Sequence, residues 1–177
     1  MDYTILILYG TLALGVSFLC SILEAVVLSI PHTQIAMWER DGTRKGKIWA
    51  NLKSDDAVKP LTAILTLNTI AHTMGAAGVG AEVDKVFGHE YLTYASVILT
   101  LLVLFLSEII PKTLGTAYWK QLAKPTGHVL HWITVGLAVF IGPIQMLKSI
   151  LPKGDDALFT RDDVAALADL GEEEGII

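Results

Sequence analysis

Four long apolar stretches, separated by shorter polar segments, organise the chain. Thr4 to Ile30 is almost unbroken, with Glu24 as its one charged residue. It exceeds the ~20 residues a helix needs to cross a ~30 Å hydrocarbon core. It is also longer than the roughly 7 to 15 apolar residues of a signal peptide, and only Asp2 precedes it where a basic region would stand. It therefore reads as a first transmembrane helix. Leu61 to Val83 is a second, interspersed with Thr62, Thr66, Asn68, Thr69, His72, Gly75, Gly78 and Gly80, a composition that suits contact with other helices better than contact with lipid. Tyr91 to Ile110 is the third and most apolar, with Tyr91 and Tyr94 at the level of an interfacial aromatic belt. Val129 to Leu151 is interrupted at Gly142-Pro143 and carries His128, His131 and Trp132 at its start. It reads as a bent helix along the membrane surface, a fourth span being the alternative.

The polar segments set the orientation. Arg40, Arg44, Lys45, Lys47, Lys53 and Lys59 lie between the first two apolar stretches, which predicts a cytoplasmic segment and an N-terminus outside. Residues 34–40 and 44–52 are helix-compatible around the turn signal Asp41-Gly42, so residues 31–60 should form a helical hairpin. Glu82, Asp84 and Glu90 stand against one Lys85 in the next connection, as expected of the outer side. Lys112, Lys120 and Lys124 then mark the return to the cytoplasm, and keeping Lys148, Lys153 and Arg161 there favours the surface helix at about 120–151. The expectation is an all-α membrane protein: three transmembrane helices, a cytoplasmic hairpin and a juxtamembrane belt helix, together forming a transmembrane domain over residues 1–153. Residues 154–177 should begin a cytosolic linker, with a capped amphipathic helix from Thr160 to Gly171 and an acidic ending that reads as cut through a continuing sequence.

Composition agrees with this reading. Of 177 residues, 53% are hydrophobic and 18% charged, and the mean hydropathy is +0.54. That excludes disorder and leaves too few charges for an ordinary soluble surface. A single cysteine, Cys20, excludes an internal disulfide. No phosphate-binding loop, nucleophile elbow or paired-cysteine metal site occurs, so no enzymatic chemistry is expected and nothing points to nucleic acid.

Ionisable and polar groups at membrane depth carry the candidate chemistry, because each costs about 2.5 to 3.5 kcal/mol on insertion scales. Glu108 ends the most apolar stretch within Ser107-Glu108-Ile109-Ile110-Pro111-Lys112. Pro111 has no N–H, which leaves the carbonyl of Ser107 without its α-helical donor. A carboxylate, a hydroxyl and a freed carbonyl form an all-oxygen cluster of the kind hard cations prefer, Mg²⁺ demanding about six ligands and Ca²⁺ or Na⁺ being less strict. The alternative is an intrahelical ion pair of Glu108 with Lys112 followed by a proline helix stop. In the first helix Ser17, Ser21 and Glu24 share one face, and in the second Asn68 and His72 do. Alone, such serines, amides and histidines usually pack or bond helices together. An intramembrane protease using Ser21 and His72 has no supporting motif.

The nine residues Ser107 to Gly115 resemble the signature of the transmembrane domain of the CNNM/CorC magnesium transporters. Ser21-Ile22-Leu23-Glu24-Ala25 with Ser29, and Leu67-Asn68-Thr69, are similar to that family's two other motifs, although the family usually has Gly beside the Asn where this chain has Leu67. The resemblance covers essentially the whole chain. It implies three spanning helices, a cytoplasmic hairpin, a belt helix and a homodimer in the bilayer. Cation-coordinating groups are implied at Ser21, Asn68 and Glu108, with backbone oxygens near the proline; the residues themselves add Ser107 to this metal set and Ser17, Glu24, Thr69, His72, Pro111 and Lys112 as supporting positions. It further implies Mg²⁺ export coupled to Na⁺ across the inner (plasma) membrane. ATP would act only through regulatory CBS domains, which residues 1–177 do not include. A membrane-anchored cation sensor or scaffold, and a Mg²⁺ channel, are the alternative functions.

Overall fold

Runs of apolar, small and β-branched residues without a strand alternation fold here as helices, and every element among the described residues is helical. The computed structural model describes residues 3–54 and 57–150. The expected helix from Thr160 to Gly171 and the linker at 154–177 lie outside them. The elements are α1 (Thr4–Ser29), α2 (His32–Arg40), α3 (Arg44–Leu52), α4 (Val58–Val86), a 3₁₀ turn (His89–Tyr91), α5 (Leu92–Leu102), a π-helical segment (Val103–Ile109), α6 (Ile110–Ala117), α7 (Trp119–Gly136) and α8 (Ala138–Ile150). A compact unit that holds α1 to α7 ends at Pro143.

Among the described residues, two stretches are long and apolar enough to cross a membrane, Thr4–Ser29 and the continuous run His89–Ala117. α4 has the length, 29 residues, but its Thr, Asn, His and Gly positions make it less apolar than either. The protein is an all-α membrane protein. Large side chains of the N-terminal half of α1 (Ile5, Ile7, Leu8, Leu12) and of the third stretch (Val97, Ile98, Leu101, Phe105) are exposed, as a lipid-facing surface requires.

α1 is the centre of the unit and packs on α4, on the π segment, on α6 and on α7. Ser17 meets His72, and a side chain at Gly75 would collide with Ala13, so the two helices run antiparallel. On the other side, Ser107 meets Leu14, and Gly115 lies against Ala25 and the Ile22 carbonyl, so the third stretch runs parallel to α1. Both contacts use small residues, which let backbones approach where lipid supplies no hydrophobic drive. An added Cβ at Gly115 would come within 2.7 Å of Ala25 Cβ.

The apolar core lies at the C-terminal end of α1, where Leu23, Val26, Val27 and Ile30 meet Trp49, Ile64, Ala123 and Leu130. The hairpin turns at Gly42 (φ 67°), and Thr43 caps α3 by accepting from Gly46 N–H at 3.1 Å. Trp49 is fully buried and its indole N–H donates to the Ala123 carbonyl at 2.9 Å, which pins α3 to α7. Lys53 donates to the carbonyl of Ile30 at 2.6 Å, satisfying a backbone group that the end of α1 leaves open. Burial holds the Lys53 ammonium below the ordinary lysine range.

Two helix ends differ from what the sequence alone suggested. Pro111 does not stop the third helix, which continues to Ala117, because the π segment absorbs the missing rung just before it. In the fourth stretch Pro143 sits inside α8, and the compact unit ends there. A helix end that the sequence reading did not foresee falls at Leu137 (φ −100°, ψ 16°), directly after Gly136, a weak helix former.

Candidate functional site

A polar face on each of the three long helices converges on one region of the unit. Ser17 Oγ lies 2.6 Å from His72 Nε2, which fixes the register of α1 against α4. Moving one helical turn along, forward on α1 and back on α4, brings Ser21 and Asn68 to a common level. Ser21 Oγ and Asn68 Oδ1 are both buried and have no hydrogen-bond partner. Thr134 Oγ1 in α7 is the other such oxygen among the described residues. An unsatisfied buried polar group costs about 1 to 3 kcal/mol, so two at one level need a reason.

The third helix brings the charge. Ser107 is buried and its hydroxyl donates to the Leu14 carbonyl at 3.0 Å, tying the π segment to α1. Ile110 N–H reaches back to Phe105 O, an i→i−5 bond. In that register the rung Pro111 cannot supply belongs to the carbonyl of Leu106, whereas in an α register it would belong to Ser107. Glu108 is half-buried and lines a cavity of about 310 Å³ with Ala13, His72, Ala76, Leu99, Thr100, Val103 and Leu104. The Ser21–Asn68 level lies one turn, about 6 Å, further along α1 than the Ser17–His72 level.

Other sequence-derived candidates lie elsewhere. Lys112 does not pair with Glu108; its ammonium lies 3.3 Å from Glu24 Oε2, a contact between α6 and α1. Glu24 is thereby engaged by a cation of this chain. Thr69 is exposed and its hydroxyl donates to Leu65 O at 2.8 Å, so it turns away from the site. Pro111 is buried at the start of α6. Among the described residues no three His, Cys, Asp or Glu side chains gather as a metal cluster. An ion held here would rest on one carboxylate with neutral oxygens, a donor set for a hard cation.

The sequence is matched over residues 8–177 by the family model described as the Cyclin M (CNNM) transmembrane N-terminal domain. The chain belongs to this family. The CNNM family is a transporter family associated with divalent-cation (Mg²⁺) transport. UPF0053 protein sll1254 of Synechocystis sp. is 26% identical over 162 residues, covering 91% of this chain and 46% of that protein. The chain thus spans about half the length of this curated relative. The features that sequence reasoning missed in this CNNM domain are the π register, the Glu24–Lys112 pair and the tie from Ser107 to Leu14. The proline three residues after a membrane-depth carboxylate was the available signal for the first.

Proposed function

We propose that this CNNM domain binds and carries a divalent cation, Mg²⁺, through the membrane. The observation that supports the reading best is the pair of buried, unpartnered oxygens, Ser21 Oγ and Asn68 Oδ1, set one turn along α1 from the Ser17–His72 contact, whose histidine shares a cavity with Glu108. Neutral oxygens and a freed carbonyl replace part of the ion's hydration, and Glu108 turns from the adjoining cavity to supply the charge. α1, α4 and the run from α5 to α6 are the three spans. The α2–α3 hairpin and α7 lie on the cytoplasmic side, with the N-terminus outside. The unit works as a homodimer in the plasma membrane, and inward Na⁺ movement drives Mg²⁺ out.

Two measurements test this. Mg²⁺ titration of purified protein by calorimetry should show binding that Glu108→Gln weakens at least about tenfold, the loss of roughly 1.4 kcal/mol, while the variant elutes and melts as a folded protein. Proteoliposomes carrying an outward-directed Mg²⁺ load should then release it only when a Na⁺ gradient is imposed. Unchanged affinity in Glu108→Gln would make Glu108 structural, binding without flux would make the domain a sensor, and flux without Na⁺ would make it a channel.

A further inference from the structure

Transport through Glu108, Ser21 and Asn68 leaves His72 without a task. An imidazole within an apolar helix is costly, and this one is held in place rather than free. Its Nε2 lies 2.6 Å from Ser17 Oγ, itself fully buried, and its ring lines the same cavity of about 310 Å³ as Glu108. His72 and Glu108 are the two ionisable groups in that lining; the rest are alanines, aliphatics and Thr100. A neutral imidazole has one N–H and one lone pair. In the tautomer whose Nε2–H donates to the Ser17 hydroxyl, one of the two that the 2.6 Å contact accommodates, the lone pair lies on Nδ1, the arrangement by which an outer hydrogen bond orients a metal-binding histidine.

Building on the reading that Glu108 serves a transported cation, we infer that His72 is a nitrogen ligand that sets the ion preference of this site. Mg²⁺ takes oxygen donors almost exclusively, whereas imidazole suits borderline first-row cations such as Zn²⁺ and Ni²⁺. One nitrogen and one carboxylate in a cavity otherwise short of charge hold such an ion without the closed shell that would trap it. Ser17 is then a positioning residue, acting on the ion through His72.

Separate Zn²⁺ and Mg²⁺ titrations of tag-free protein, with His72→Gln and His72→Ala, test this. The ratio of Zn²⁺ to Mg²⁺ affinity should fall about tenfold or more in both variants. In wild-type protein loaded with Mn²⁺, pulsed electron paramagnetic resonance should show nitrogen hyperfine modulation, and the variants should lack it. An unchanged ratio in the variants, or no nitrogen modulation in the wild type, overturns the assignment; the wild-type spectrum decides even if neither variant folds. Glu108→Gln separates the role of His72 from transport itself. If it binds Mg²⁺ as the wild type does, the transport reading fails; if it does not, an unchanged ratio in the His72 variants removes His72 alone.

Discussion

At the scale of residues, the site is a place where stability and binding pull in opposite directions. Ser21 is 1% exposed and its hydroxyl has no partner, so in the absence of cation it is a cost to the fold. Ser21→Ala should therefore raise the melting temperature of cation-free protein, by the equivalent of about 1 kcal/mol, and should weaken Mg²⁺ binding. Thermal unfolding with and without Mg²⁺ reads both signs; a lower melting temperature would make Ser21 a packing residue. Much of this level was legible in the sequence. A serine, an amide and a carboxylate interrupting apolar helices stand out because each is expensive at membrane depth. The partners were not legible, since spacing along one helix pairs Lys112 with Glu108, while the ammonium in space finds Glu24 on α1. That choice depends on how α6 lies against α1, which Gly115 permits and no local pattern states.

At the scale of elements, the irregular stretch from Val103 to Ile109 is what makes the third helix more than a span. π segments inside α-helices leave backbone groups outside the regular ladder and are frequent at functional sites. Pro111 is the residue that keeps the ladder from closing. Pro111→Ala restores an N–H and removes a penalty of about 3 kcal/mol in a helix interior, so the variant should be more stable and should bind Mg²⁺ more weakly. Stability and calorimetric affinity measured on the same preparation check the pairing of effects; unchanged affinity would free the local carbonyls of any role. The elements themselves followed from the apolar pattern closely. Residues 4–30, 34–40, 44–52 and 61–83 correspond to α1 through α4 within a few positions, because long periodic or unbroken runs with turn residues between them leave little choice. The ends were less legible. A proline reads as a stop when only its own missing bond is considered, but Pro111, Pro125 and Pro143 all lie within helices here. A helix held by its neighbours tolerates one lost rung.

At the scale of the whole molecule, the arrangement about α1 fixes which groups share a depth, and the proposed orientation rests on the basic residues. A cysteine at Lys45 in the hairpin should resist an impermeant thiol reagent in intact cells, and one at Gly88 should react, once Cys20 has been replaced. The reverse pattern would invert the topology and the direction assigned to export. The order of the long helices and of the hairpin between them could be read from the sequence, but the register of α1 against α4 could not, because it depends on Gly75 fitting against Ala13 and on Ser17 reaching His72. That register is what brings Ser21 level with Asn68, and the proposed site depends on it. The most direct test is anomalous diffraction from protein crystals soaked in Mn²⁺, an ion that accepts oxygen ligands like Mg²⁺ and can be located. A site of the proposed kind predicts a peak enclosed by Ser21, Asn68 and Glu108. A peak confined to surface carboxylates such as Asp84 and Glu90, with none between α1 and α4, would contradict it.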